Sequence, residues 1–201
     1  ALDVFGLSNN TRVVYTSDHG DNMGARRLWG KSTWHDESAG IPLIISGPDI
    51  PQGQQIDTPV SLVDIYQTIL NGVGLKTCDE DKDLPGYSLI ELAINGADEE
   101  RIVFGEYHGA GAISAAYMVR TLKYKYIHYA NGFDPELYDL SNDPEEMKNL
   151  APDQNYKNEI EDMYKILKGI LDPEEVNQQA LSDQRVVIEK HGGREVIIAR
   201  G

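Results

Sequence analysis

Two short runs of β-branched and aromatic residues, RVVYTS at 12–17 and IPLIIS at 41–46, flank a polar, glycine-rich stretch. Each run is bounded by turn residues and is too short for a helix, so each predicts a strand. The near-continuous apolarity of the second predicts a strand covered on both faces, as in parallel sheets. A helix follows. Leu62, Ile65, Tyr66, Ile69 and Val73 recur at helical spacing, Ser61 with Asp64 resembles a capping box, and Gly72 or Gly74 closes the run. Strand, loop, strand, helix is the rhythm of an open α/β sheet. Upstream, residues 2–7 read as the tail of a helix ending near Gly6, with a turn at 9–11.

The pattern changes after residue 75. KTCDEDKDLPG predicts a charged, exposed loop. RIVFGEYH, AAYMVRT and YKYIHYA then predict three short strands with no helix between them, and PELYDL a fourth, hence a small antiparallel sheet. SNDPEEMKNLA predicts a turn and a short helix, with Asp143 as cap, Pro144 at the first helical position and Glu146 completing the box. Tyr156, Ile160, Met163, Leu167 and Ile170 lie on one helical face. DPEE at 172–175 opens another helix running to about Lys190 and stopping at Gly192 and Gly193, and REVIIARG predicts a terminal strand or arm. The organisation expected is residues 1–75 as one part and 76–201 as a second.

Charge narrows the functional classes. The 201 residues carry 18 basic and 33 acidic side chains, a net charge of −15. No basic stripe is available for nucleic acid or for an anionic membrane surface, and no apolar run reaches the length of a membrane span. Cys78 is the single cysteine, so no disulfide can form within the chain, and a reducing, cytoplasmic location is expected. The chain opens on ALDVFGLSNN with neither an initiator Met nor a signal-peptide pattern, and is expected to be the C-terminal part of a longer protein.

The candidate chemistry sits between the first two strands, in SDHGDNMGARRLWGKSTWHDES. In open α/β sheets, ligands bind beyond the carboxyl ends of the strands. Asp18 and His19 stand at that end, and Gly20 permits a sharp turn bringing both to face a metal. Carboxylates suit Ca²⁺, Mg²⁺ or Mn²⁺, and an imidazole pulls toward Mn²⁺ or Zn²⁺. The plainer alternative is that Asp18 caps the next element and His19 lies on the surface. Lys31 supplies a compact charge able to meet an anionic oxygen, or is a solvated loop lysine. Asp21 orients the pair or solvates the loop, and His35 and Asp36 are candidates for proton transfer or surface residues. Asp79, Asp81 and Asp83 alternate like calcium-loop ligands, but Leu84 and Ile90 stand where such a loop needs Gly and Glu.

Together, VVYTSDHGDNMGARRLWGKSTWHDESAGIPLIISGP, TPVSLVDIYQTIL, YMVRTLKYKYIHY and PELYDLSNDPEEMKNLA resemble the sulfatases of the alkaline phosphatase superfamily over nearly the whole chain. The late DPEEVNQQALSDQRVVIEKHGGRE is similar to the tail of the choline-sulfatase-like branch. The resemblance implies an α/β fold: the C-terminal part of an alkaline-phosphatase-like mixed or parallel sheet, plus a small antiparallel sheet with C-terminal helices. It implies hydrolysis of a small sulfated ester, with Asp18 and His19 as ligands of a divalent ion, Ca²⁺ first and Mn²⁺ or Mg²⁺ as alternatives. It implies Lys31 as the catalytic group touching the sulfate or the leaving oxygen. Glu106, in FGEYHG, would contact a cationic choline head, a use that suits a carboxylate near aromatic rings; His108 beside it is read as structural.

The chain departs from the family at one point. Sulfatases carry their nucleophile in C-x-P-x-R or S-x-P-x-R, oxidised to formylglycine, and these 201 residues contain neither. Cys78 lies in CDEDKD, with Glu80 where the motif needs Pro and Lys82 where it needs Arg. The formylglycine is therefore expected in a preceding segment, and the chain alone is expected to be inactive. Two other readings stay open: a phosphonate monoester or phosphodiester hydrolase of the same superfamily, and a non-catalytic portion whose tail mediates a homo-oligomer.

Overall fold

The computed structural model describes residues 1–109 and 112–200. The chain divides into two compact units, one comprising Ala1–Val103 with Thr121–Lys123 and the other Phe104–Arg120 with Tyr124 onward.

In the first unit, β1 (Val13–Thr16) is followed by a long loop, the single helical turn α1 (Asp36–Ala39) and β2 (Leu43–Ser46). β1 and β2 pair antiparallel, with Val13 opposite Ser46 and Thr16 opposite Leu43. This corrects the expected mixed or parallel sheet: the sheets are antiparallel. A parallel return needs a crossover of a dozen or more residues, usually a helix packed on the sheet. The only α-helix in the loop here is the one turn of α1, and the chain comes back alongside itself. The apolar run of β2 is not covered on both faces either, since Ile44 is 60% exposed.

Helix α2 (Asp64–Gly72) forms where the periodicity placed it and packs on α3 (Leu89–Asn95). The charged surroundings of α3 hide it from the sequence pattern, which predicts no helix there. Ser88 caps α3 by accepting from the Glu91 amide, and its apolar residues Leu89 and Ile90 are buried. Thr68 joins the two helices, donating to the Asp64 carbonyl at 2.7 Å and accepting from the Leu89 amide at 2.9 Å. Residues 2–7 form turns rather than the tail of a helix.

The second unit holds nearly all of a sheet in the order β3 (Val103–Tyr107), β4 (Ala116–Arg120), β5 (Tyr124–Tyr129), β6 (Glu136–Asp139), as the alternation predicted. β5 pairs antiparallel with both β4 and β6. Tyr117, Val119, Tyr126 and Leu137 form the core with Met163 and Leu167 of α4 (Lys157–Ile170). Each such side chain contributes about 1.5–3 kcal/mol by leaving water. Ile170, on the same predicted stripe, ends up 47% exposed. Asp172 caps α5 (Pro173–Lys190) by accepting from the amides of Glu174 and Glu175. Tyr117 Oη donates to the Pro173 carbonyl at 2.8 Å and ties the helix to the sheet.

Two further expectations in this unit are overturned. The 143–150 segment is not helical: Asp143 accepts from the amides of Met147 and Lys148, while Glu146 adopts φ 53° and pairs, fully buried, with Lys125. A left-handed residue there stops helical growth. Of the REVIIARG run, Arg194–Arg200 form the helix α6, not a strand. The Gly193 amide bonds the Ile188 carbonyl, and Gly192 and Gly193 take φ 97° and 88° to reverse the chain.

Candidate functional site

β1 delivers its C-terminal end to Ser17, Asp18 and His19. Ser17 Oγ donates to the His19 carbonyl at 3.0 Å, closing a tight turn. His19 Nδ1 lies 2.7 Å from the Gly20 carbonyl. A carbonyl can only accept, so Nδ1 carries the proton and Nε2 presents its lone pair. The Lys31 ammonium donates to that lone pair, Nζ to Nε2 at 2.5 Å, and Asp18 Oδ2 lies 3.4 Å from the same nitrogen. The three side chains singled out from sequence therefore meet around one atom, His19 Nε2. Asp18 is well exposed, and its carboxyl is held below the ordinary range first by its own backbone amide and then by that of His19.

Gly20 is required for a reason other than the expected turn. Its amide donates to the Ser38 carbonyl at 2.8 Å, and a Cβ there would lie 2.2 Å from the Glu37 carbonyl oxygen. Close backbone approach to α1 excludes a side chain. Asp21 accepts from the Met23 amide at 3.0 Å and so shapes the loop. His35 is buried at the start of α1, of which Asp36 is the first residue.

The loop from Asp21 to Ser32 is conformationally unusual. Met23, Arg26, Arg27 and Ser32 all have positive φ, at 47°, 51°, 61° and 97°. For such residues this costs about 1–3 kcal/mol each and persists only where surroundings hold it. Asn22, absent from the candidates drawn from sequence, is 2% exposed at the neck of this loop. Its amide and its Nδ2 both donate to the Gly30 carbonyl, each at 2.7 Å. Nothing in the spacing marks Asn22; a polar residue in a glycine-rich loop is commonplace.

Glu106 and His108 belong to the second unit. His108 Nε2 is 3.4 Å from Glu106 Oε2, and its ring meets Tyr117 edge-on at 5.6 Å. Cys78 is exposed and donates from Sγ to Asp81 at 3.1 Å, where Tyr66 Oη also donates at 2.5 Å. Among the described residues no three His, Cys, Asp or Glu side chains gather closely enough to hold a metal. Asp18 and His19 offer two donors of suitable chemistry, against the six to eight oxygens Ca²⁺ takes. They fit a divalent ion only as part of a larger set, with Lys31 withdrawn from Nε2. No helix of the described residues is long and apolar enough to cross a membrane.

Residues 24–173 match the family model described as N-sulphoglucosamine sulphohydrolase, C-terminal. Among curated proteins, the chain is 38% identical over 179 residues to arylsulfatase K of Danio rerio, covering 86% of this chain and 33% of that protein. The chain thus spans about a third of the length of the curated relatives it matches. Among solved structures it is similar to a 2-O GAG sulfatase, with TM-score 0.71 and 28% identity over 92% of this chain and 40% of the other. It is also similar to the phosphonate monoester hydrolase of Agrobacterium radiobacter, with TM-score 0.69 and 27% identity over 84% of this chain and 36% of the other.

Proposed function

We infer the function from one premise: the chain belongs to the sulfatase family, in the region described as N-sulphoglucosamine sulphohydrolase, C-terminal. The reading we propose is a sulfuric ester hydrolase in which residues 1–75 supply part of the metal and substrate site. The observation that supports it is the meeting of Asp18, His19 and Lys31 around His19 Nε2. Asp18 and His19 would be two ligands of a divalent ion, Ca²⁺ first, which when bound polarises sulfate oxygens. Lys31, then released to the anion, would stabilise charge developing on the sulfate or the leaving oxygen. Formylglycine chemistry would come from a polypeptide segment outside these 201 residues, which hold no C-x-P-x-R.

Three finer points belong to the same proposal. The ester is a small sulfated molecule; arylsulfatase K and the 2-O GAG sulfatase favour an aryl or sugar sulfate, while the choline-sulfatase-like reading rests on the tail and on Glu106 as a contact for a cationic head. A cytoplasmic location is supported by the lone, exposed Cys78 thiol. The exposed Val186, Val187 and Ile198 of α5 and α6 support a homo-oligomer through the tail. The test of oligomerisation is sedimentation of the chain with and without residues 185–201; an unchanged mass removes it.

The likeness to a phosphonate monoester hydrolase supports a second reading within the superfamily. Nuclear magnetic resonance of the His19 ring during titration with Ca²⁺ and Mn²⁺ tests the shared site. Perturbation lost in Asp18→Asn and kept in Asp21→Asn is the expected result; no perturbation by either ion overturns the metal site. Paired sulfate and phosphonate ester assays then separate the reactions. The 201 residues alone are expected to turn over neither, and turnover by them alone defeats the assignment of roles.

A further inference from the structure

The geometry points to Asn22 as a positioning residue: by clamping the Gly30 carbonyl it holds the strained loop closed and sets Lys31 against His19. This rests on the reading of Lys31 as the anion-binding group and names what aims it. Lys31 follows Gly30 directly, so the placement of its backbone is fixed by whatever fixes the Gly30 carbonyl. Two donors of one residue, the Asn22 amide and Nδ2, converge on that oxygen at 2.7 Å each.

A buried amide side chain is retained at a cost unless its polar atoms are satisfied. At Asn22, Nδ2 reaches Gly30 and Oδ1 lies 3.4 Å from Thr33 Oγ1, on the far side of Lys31. Asn22 therefore touches the chain both before and after the lysine. Its own carbonyl accepts from the Ala25 amide at 2.7 Å, and the Gly24 amide reaches the Leu28 carbonyl at 2.9 Å. Arg26 Nε reaches Glu37 at 3.2 Å and anchors the loop's outer limb toward α1. Four non-glycine residues held at positive φ between these ties would relax if the neck opened. Opening the neck displaces Gly30, and Lys31 Nζ leaves His19 Nε2.

Asn22→Asp tests this, because it keeps the shape and removes the Nδ2 donor. The readouts are the ¹⁵N and ¹H signature of the Lys31–His19 contact in the full 201-residue chain and the affinity for inorganic sulfate followed on the same resonances. The expected result is loss of the contact signature and sulfate affinity lower by about fivefold, the factor that accompanies one net hydrogen bond. Thr33→Val, which spares the Gly30 carbonyl, is expected to keep the signature. An intact Lys31–His19 signature in Asn22→Asp overturns the inference, even when Lys31→Met lowers sulfate affinity and upholds the anion site. Loss of the signature with sulfate affinity unmoved by Lys31→Met upholds the clamp and overturns the anion-binding role. If Asn22→Asp does not fold, Asn22→Ser is read by the same signals, and an unchanged signature there overturns the clamp.

Discussion

Arg101 Nη2 donates to Asp64 Oδ1 at 2.5 Å, and neither side chain has more than 7% of its surface exposed. Asp64 also accepts from the amides of Ser61 at 2.8 Å and Tyr87 at 2.9 Å, and the Arg101 guanidinium lies 4.8 Å from the Tyr87 ring centre. One carboxylate at the start of α2 thus gathers three separate stretches of the first unit.

Removing one partner of a buried ion pair leaves the other charge uncompensated. Arg101→Met is expected to destabilise the first unit by about 3–5 kcal/mol. Asp64→Asn, which loses the charge and part of the amide acceptance, should cost a similar amount. Urea unfolding followed by tryptophan fluorescence, whose two reporters Trp29 and Trp34 lie in this unit, measures both.

Gly20→Ala should damage the site as well as the fold. The added Cβ meets the Glu37 carbonyl oxygen at 2.2 Å and the Gly40 carbonyl oxygen at 3.3 Å, both backbone atoms that cannot swing aside. Overpacking of this kind costs about 1–3 kcal/mol. Loss of the Gly20–Ser38 bond should move His19, seen as a changed ring resonance with the second unit's resonances unaffected.

In the second unit, Lys125 and Glu146 form an ion pair with side chains 1% and 0% exposed. Lys125→Met alone should cost about 3–5 kcal/mol. Adding Glu146→Gln should recover much of that loss, because the stranded carboxylate is then neutral. A double-mutant cycle by chemical denaturation checks the coupling, and purely additive costs would contradict it.

His128 should make stability depend on pH. Burial pushes its imidazole below its ordinary value of 6.5, and the charge of Glu174 only partly offsets this. Its Nε2 is buried without a hydrogen-bond partner, 3.8 Å from Glu174 Oε1, and Tyr164 packs on the ring at 5.3 Å. The unfolded chain therefore binds the proton more readily than the folded one. The contribution is intact above the ordinary value of 6.5 and is lost as pH falls from there through the lower folded value. Melting of the wild-type chain should decline over that window, and His128→Phe should flatten the decline.

Much of the secondary structure was legible because local pattern and burial agree. The apolar stripe of α4 and the alternation in β4 and β5 face the same core, and Asp172 with Pro173 marks the start of α5 without tertiary help. Where they disagreed, tertiary partners prevailed. The branched run at 196–198 reads as a strand, but a strand needs a neighbour to bond, and a helix satisfies its own backbone. Glu146 completes a helix start on paper, whereas the Lys125 ammonium takes it into the interior.

The sequence by itself determined which residues are chemically capable, Asp18, His19 and Lys31, and the loop that carries them, because residue type and order along the chain are enough for that. Only the tertiary structure decided that β1 and β2 run antiparallel, that Gly20 is a contact point with α1, and that Asn22 donates twice to the Gly30 carbonyl. Those features depend on atoms of residues not adjacent in sequence meeting within hydrogen-bond or van der Waals distance, and residue type and spacing do not record such meetings.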